Sequence, residues 1–345
     1  MSRATKQIVA AAPDLSRLLD IVSAFSRQVI AVLGDFVVDE YVTGEISRVS
    51  REAPVLILRH KQTESIPGGG ANAANNLADL GARVFPVGAV GDDAAGNALI
   101  EYFRRKQVDV SGIVRARGWT TTTKTRYLAR WTHTSRQQVL RVDREPETEI
   151  PSRVTAQILR KSHARIRKSN AVLVSDYGAG SVTPQLLKSV RSKIVTLDSR
   201  YRLLDYRGVK LTAATPNEPE LEALYHSRIG NDRRTLESLG RRTWRALNLD
   251  ALLVTRGKDG MVLFERAKPP CEIRVYGSDD AVDVTGAGDT VIAVFTLALA
   301  AGASFVEAAH LANYAGGIVV MKRGTATVTR AELESAIRGA ATAGA

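Results

Sequence analysis

Four short apolar runs, each ending in a polar residue, recur along this 345-residue chain and constrain its fold class more than any other feature. Val29-Ile30-Ala31-Val32-Leu33 leads into Gly34-Asp35, Ala171-Val172-Leu173-Val174 into Ser175-Asp176, Ile194-Val195-Thr196-Leu197 into Asp198, and Ala251-Leu252-Leu253-Val254 into Thr255. Runs that are apolar on both faces and separated by helical stretches predict a mostly parallel sheet with helices on either side. In such sheets ligands bind beyond the carboxyl ends of the strands, where these polar residues fall.

Two regions break the rhythm. Residues 41–66 and 119–142 are rich in Val, Ile, Thr and Tyr, and Thr121-Thr122-Thr123-Lys124-Thr125-Arg126-Tyr127-Leu128 alternates. They read as antiparallel strands of a small accessory sheet, for which a lid is one natural use. Lys61 to Ile66 reads as a polar loop. Residues 1–28 are expected to form a helical extension on the domain edge, residues 29–340 one domain carrying the lid, and residues 341–345 an Ala/Gly-rich tail.

Composition excludes several classes. A hydrophobic content of 44% suffices for a buried core, and the single Cys271 rules out an intrachain disulfide. No Cys/His cluster has zinc spacing. The N-terminus lacks the pattern of a signal peptide, and the apolar stretch 291–301 is far shorter than the roughly 20 residues needed to span a bilayer. A cytoplasmic protein with no membrane partner is therefore expected. The net charge of +12 suggests nucleic acid, but the basic residues are scattered over helical segments without interleaved aromatics. They read as solvated helix faces, and no nucleic-acid partner is expected.

Three motifs carry chemistry. Asp283-Val284-Thr285-Gly286-Ala287-Gly288-Asp289 opens onto the apolar helix Thr290-Val291-Ile292-Ala293-Val294-Phe295. Its glycines let backbone N–H groups approach an anion, and the helix N-terminus favours negative charge. Asp289 can then take a proton from a nucleophile attacking that anion, or simply cap the helix. Pro67-Gly68-Gly69-Gly70-Ala71-Asn72 is a glycine turn leading into a second helix. A dinucleotide fingerprint there is weak, because the glycines follow a polar loop and not a strand. Residues 91–96 have Walker spacing, but Asn97-Ala98 stand where Lys-Ser/Thr belongs. The third motif is a set of cations: Lys124, Arg126 and Arg130 occupy even positions on one lid segment, so a continuous strand aims all three to one face. They could equally be a solvated strand edge.

Taken in order along the chain, the motifs resemble those of the ribokinase-like (PfkB) carbohydrate kinases. Gly68-Gly69-Gly70-Ala71-Asn72, Gly81 and Gly91 match the family's first signature, and residues 283–289 its second. Asn217-Glu218-Pro219-Glu220 resembles the N-x-x-E motif near Mg²⁺ and phosphate, and Thr255-Arg256-Gly257-Lys258-Asp259-Gly260 the nucleotide-binding turn. The resemblance implies a ribokinase-like three-layer α/β/α fold with a mostly parallel central sheet and a small antiparallel β lid. It also implies ATP over Thr255, Gly257 and Gly260, with Asn313 near the base and Mg²⁺ organised by Asn217 and Glu220 through water. Asp39, Gly69 and Asn72 would hold the sugar. Asp289 would act as base, with Gly286, Ala287 and Gly288 forming the anion hole and the Ala287 and Gly288 N–H groups as its donors. Family members often pair such lids across a homodimer.

Within the family, Gly34-Asp35-Phe36-Val37-Val38-Asp39, Ser47 to Val55 and Gln137 to Asp143 are similar to the branch that phosphorylates the anomeric hydroxyl of D-glycero-D-manno-heptose 7-phosphate for ADP-heptose and lipopolysaccharide synthesis. Lys124, Arg126 and Arg130 would then clamp the 7-phosphate. The chain departs from that branch at Ala179, where a lysine is usual, at Arg200, also usually lysine, and in an apparent insertion at 131–136. Bifunctional relatives carry a second, H-x-G-H nucleotidyltransferase domain, and the five histidines here form no such motif, so only the kinase is expected.

Overall fold

The computed structural model describes residues 8–9, 14–130, 137–277 and 281–343. Strand β1 (Ile8–Val9) and helix α1 (Leu15–Ser23) come first, followed by β2 (Val29–Gly34), the lid strands β3 (Phe36–Val49) and β4 (Leu56–Gly69), and α2 (Gly70–Asp79). The chain continues through β5 (Arg83–Gly91), α3 (Ala94–Arg105) and β6 (Ile113–Ala116), then returns to the lid as β7 (Thr123–Arg130) and β8 (Gln137–Arg144). Next are α4 (Ser152–Ile166), β9 (Ala171–Asp176), α5 (Pro184–Lys188), β10 (Val195–Ser199), β11 (Ala213–Ala214), α6 (Glu218–Tyr225) and α7 (Arg233–Leu247). The last elements are β12 (Ala251–Thr255), β13 (Met261–Glu265), β14 (Cys271–Ile273), α8 (Ala287–Ala300), α9 (Phe305–Val319) and α10 (Arg330–Ala343).

Ten strands form the central sheet in the order β1-β14-β13-β12-β11-β10-β9-β2-β5-β6. From β12 to β6 all neighbours are parallel, and only β13 breaks the pattern by pairing antiparallel with β12 and β14. The apolar runs are the parallel strands because each feeds two cores. Ile30 and Val32 of β2, Ala171 and Leu173 of β9, and Ala251 and Leu253 of β12 pack into the layer holding α2, α8 and α9. Their alternates Ala31 and Leu33, Val172 and Val174, and Leu252 and Val254 pack into the opposite layer with α4 and α7. This is the expected three-layer fold, with the carboxyl ends of β2, β9, β10 and β12 along one edge. Among the described residues no helix is long and apolar enough to cross a membrane.

The lid is a four-stranded sheet in the order β4-β3-β7-β8. Its two antiparallel pairs, β3/β4 and β7/β8, meet along a parallel β3/β7 seam, because the chain between them passes through the central sheet instead of a tight turn. Two sequence expectations need correction. Lys61 to Ile66 is not a loop: β4 runs unbroken to Gly69. Its middle is exposed on both faces, as befits an edge strand, so no alternation marked it. The glycines therefore do follow a strand, but one belonging to an antiparallel lid pair and not to a βαβ unit. The N-terminal segment is also not wholly helical, since Ile8–Val9 adds a parallel strand beside β14. Residues 131–136, expected as a lid insertion, and residues 344–345 of the tail lie outside the described residues.

Candidate active site

Asp289 lies in the first turn of α8, a helix whose side chains from Asp289 to Leu299 are all buried. Gly286 caps it in the left-handed region at φ 78°, and a Cβ there would stand 2.6 Å from Asn72 Nδ2. A side chain at 286 would thus be strained and would strike the group that orients the base. Asn72 Nδ2 donates to Asp289 Oδ2 at 3.0 Å, while the Tyr177 hydroxyl donates to Oδ1 at 2.9 Å. The Asn72 amide cannot flip, because Asn76 Nδ2 donates to its Oδ1, and Asn76 Oδ1 in turn accepts from the Thr290 hydroxyl and the Val328 N–H. Burial raises the Asp289 carboxyl to a pKa of about 7, with the Asn72 and Tyr177 hydrogen bonds pulling the other way. An ionisable carboxyl is therefore held in one orientation with its affinity for protons near neutrality.

The backbone around it narrows the expected anion hole. The Ala287 N–H already donates to Val284 O at 3.3 Å and that of Thr290 to Gly286 O at 3.1 Å. The N–H groups of Gly288 and Asp289 have no acceptor among the described residues, and a Cβ on Gly288 would meet nothing within 4 Å. The open donors thus sit one residue further along than the Ala287–Gly288 pair read from the sequence.

Tyr177 reaches the base because Asp35 holds its loop. Asp35, fully buried at the end of β2, accepts from the N–H groups of Tyr177, Ala179 and Ser181. Burial and the neighbouring Asp176 carboxylate push Asp35 up to about 6. Asp176 is engaged by Ser199, Arg202 and Tyr206. Polar strand ends here build the loop that carries the site.

On the other flank, Thr255, Gly257, Gly260, Gly288, Val291 and Asn313 line one cavity. Gly260 takes φ 79°, and a Cβ there would meet Ile273 O at 2.2 Å, so only glycine closes this turn. Asn313 Nδ2 donates to Arg274 O. Asn217 and Glu220 form a capping box on α6: Asn217 Oδ1 accepts from the Glu220 N–H at 2.8 Å, and Glu220 Oε2 from the Asn217 N–H at 2.9 Å. That cap is a structural role, and it leaves the other Glu220 oxygen without a hydrogen-bond partner among the described residues. A parallel bridge between Asn217 and Thr255 sets this helix start beside the glycine turn. Burial raises both Glu220 and Asp198, and Asp198 is pushed well up by Glu220 as well.

On the lid side, Asp39 and Arg126 face each other as a buried ion pair at 2.6 Å. Asp39 Oδ2 also accepts from Thr325 Oγ1 at 2.8 Å, and the Tyr41 hydroxyl bridges to Thr325. Gly69 sits at φ 54°, and a Cβ there would come within 3.1–3.2 Å of Val37, Asp35 O and the Tyr177 ring. Lys124 Nζ lies 5.2 Å from the centroid of that ring, and burial followed by Arg200 lowers its pKa. The three cations share a strand face, but their circumstances differ. Arg126 is neutralised by Asp39, Arg130 is exposed near the tip, and the Lys124 ammonium has no hydrogen-bond or ion-pair partner among the described residues.

Sequence reasoning did not single out Tyr177, Asn76, Thr325 or Asp35 as site residues. Tyr177 had a usable signal, as an aromatic with a polar tip at the end of an apolar strand beside a glycine. Its link to Asp289 spans 112 positions and was not visible locally. If Asp289 is the proton acceptor that the sequence resemblance implies, it must be ionised to act, and kcat is expected to fall as pH drops below about 7. Tyr177→Phe removes a donor to the carboxylate, so the acid limb should move to higher pH by roughly one unit, the scale of a hydrogen bond to a charged group. A limb that stays put in pH–rate profiles would show that the tyrosine does not tune the base.

Comparison with known proteins fits this geometry. A family profile described as pfkB family carbohydrate kinase matches residues 29–332. Relatives named "Bifunctional protein HldE" include one from Desulfatibacillum aliphaticivorans, 38% identical over 92% of this chain and 64% of its own length. Another, from Geobacter sulfurreducens, is 41% identical over 88% of this chain and 61% of its own. The chain thus spans less than two thirds of the length of these relatives. Among solved structures, Arabidopsis thaliana ribokinase complexed with ribose and ATP superposes with a TM-score of 0.67 at 19% identity, covering 90% of this chain and 98% of that one. Escherichia coli phosphofructokinase-2 in complex with potassium gives 0.72 at 15% identity, covering 91% and 99%. These two share the fold. With the family profile matched over residues 29–332 and Asn72 of the first signature hydrogen-bonded to Asp289 of the second, the chain belongs to the pfkB family of carbohydrate kinases.

Proposed function

We propose that this kinase transfers the γ-phosphoryl group of ATP to the anomeric hydroxyl of D-glycero-D-manno-heptose 7-phosphate, giving the 1,7-bisphosphate in the cytoplasm. The observation that carries the reading is Lys124, an unneutralised cation packed on the ring of the tyrosine that touches Asp289. A substrate reaching the base passes beside a positive charge, which suits a phosphorylated sugar. The sequence resemblance and the 35–41% identity to HldE proteins support the choice of heptose.

In this reading Asp289 takes the proton of the attacking hydroxyl while the new P–O bond forms and ADP leaves with the electrons of the old one. The free N–H groups of Gly288 and Asp289 meet the charge on the transferring group. The nucleotide lies over Thr255, Gly257 and Gly260 against the Val291 and Asn313 wall. Glu220 and Asn217 fit a hydrated Mg²⁺: Glu220 keeps an oxygen free, and it and Asp198 are carboxylates that burial disfavours as anions, a site that a nearby dication would relieve. No group of three or more acidic, His or Cys side chains among the described residues could bind the metal directly. Bound Mg²⁺ would neutralise phosphate charge. Asp39, Gly69 and Asn72 border the sugar's position.

The test is ADP release from Mg²⁺-ATP with heptose 7-phosphate and with unphosphorylated heptose. The phosphosugar is expected to have at least tenfold higher kcat/KM, the scale of one charge-assisted contact. Equal values would leave only the broader sugar-kinase reading.

We also propose a homodimer through the lid. Strand β8 is exposed along its whole length, and Leu140 and Val142 present apolar side chains on its face with Tyr127 beside them. A two-fold contact would cover this surface. Light scattering at micromolar concentration should give twice the 37.3 kDa chain mass, and a monomer would refute the pairing.

A further inference from the structure

We propose that the distal phosphate of the substrate binds in a pocket formed by Lys124 of the lid, Arg200 at the end of β10 and Thr122, and not between Arg126 and Arg130. The inference rests on the phosphosugar reading above and assigns its phosphate subsite.

Charge balance distinguishes two pockets bordered by the lid. One cleft is lined by Arg126 and Arg323 together with Glu64 and Asp283, so its cations and anions match. Arg126 is spent on Asp39. The other pocket is lined by Lys124, Arg141 and Arg200 together with Asp143 and Glu145. Arg141 is tied to Asp143 by two hydrogen bonds of 2.7 and 2.6 Å. Lys124 and Arg200 form no ion pair among the described residues. Arg200 influences Asp198 and Glu220 through space, yet its guanidinium lies over the Tyr201 ring at the pocket rim, 5.3 Å from the centroid.

The pocket also offers a spare neutral donor. Thr122 lines it, and its buried hydroxyl has no hydrogen-bond partner among the described residues. A dianionic phosphate monoester suits an ammonium and a guanidinium fork that line one pocket, with the Thr122 hydroxyl behind them. Tyr177 lines the same pocket and donates to Asp289, so a sugar lying along this tyrosine would join phosphate subsite to base. The main chain of Arg200 is fixed at the pocket, with its backbone N–H donating to Asp176 O at 3.1 Å.

Two measurements on the full chain test this. In ³¹P NMR with excess non-hydrolysable ATP analogue, inorganic phosphate should show saturable line broadening with wild type and with Arg323→Ala. Broadening should weaken tenfold or more with Arg200→Ala or Lys124→Ala and recover in part with Arg200→Lys. Unchanged binding in both alanine variants would overturn the pocket. In kinetics, Arg200→Ala should raise KM for heptose 7-phosphate tenfold or more, leave KM for ATP nearly unchanged, and abolish the preference over unphosphorylated heptose. A preserved preference would likewise overturn it. If phosphate binding is lost in the variants while wild type never prefers the phosphosugar, the pocket stands and the substrate reading fails. Arg200 is exposed, so its replacement should not unfold the chain, which melting curves would verify.

Discussion

Asp289→Asn should leave the protein folded and able to bind nucleotide while kcat falls by about 10²-fold or more, the usual contribution of a positioned general base. The site accommodates the isostere. Asparagine's carbonyl can accept from Asn72 Nδ2, and its amide can donate to the Tyr177 oxygen, whose hydroxyl hydrogen is free to turn away. Removing a buried carboxylate whose pKa burial has raised to about 7 also removes a desolvated charge, so stability should not drop. The free Gly288 and Asp289 N–H groups are backbone and persist. What disappears is the proton acceptor. Comparable melting curves, nucleotide affinity by titration and steady-state rates would check all three parts, and a variant with near-normal kcat would remove Asp289 from the mechanism.

The same residue shows what could be read from sequence and what could not. Asp289 stood out because glycines, a helix start and a carboxylate occur within seven positions, a local arrangement. The parallel strands were equally visible, since residues such as Ile30 and Ala31 face different cores and both must be apolar. Strand β4 was missed in part, because an edge strand solvated on both faces leaves no period. Arg126 shows a deeper limit. Periodicity correctly put it on one face with Lys124, but whether a cation is free for a ligand depends on what lies across the sheet. Asp39, 87 positions away, neutralises it. Tyr177 and Asn76 act through contacts of 112 and 214 positions, and side-chain networks of that span emerge only when the fold closes.

Asp39→Ala should cost about 3–5 kcal/mol, the penalty for leaving a buried charge without its partner. The Arg126–Asp39 pair has side chains only 11% and 6% exposed. Asp39 is tightly enclosed, since a Cβ on Gly68 would come within 2.5 Å of its Oδ2. With alanine at 39, Arg126 keeps its charge, loses its 2.6 Å contact with a carboxylate and retains the Lys124 carbonyl at 3.4 Å and the Tyr41 ring 5.4 Å away, neither of which carries a counter-charge. Thr325 loses its acceptor as well, so the tie between β3 and the loop after α9 weakens. The double variant Asp39→Ala/Arg126→Leu should recover most of the loss, because it removes the orphaned charge and fills the space with apolar volume. The coupling between the two sites should then be on the order of 2–3 kcal/mol, the upper part of the range for residues in direct contact. Urea unfolding of the two single variants and the double variant measures it. Additive single effects, or a cost below about 1 kcal/mol for Asp39→Ala, would mean that the pair is loosely held and Arg126 is free to meet a ligand. A strong coupling instead makes this pair the latch that fixes the lid strands over Asp289, and leaves phosphate recognition to the cations that have no partner.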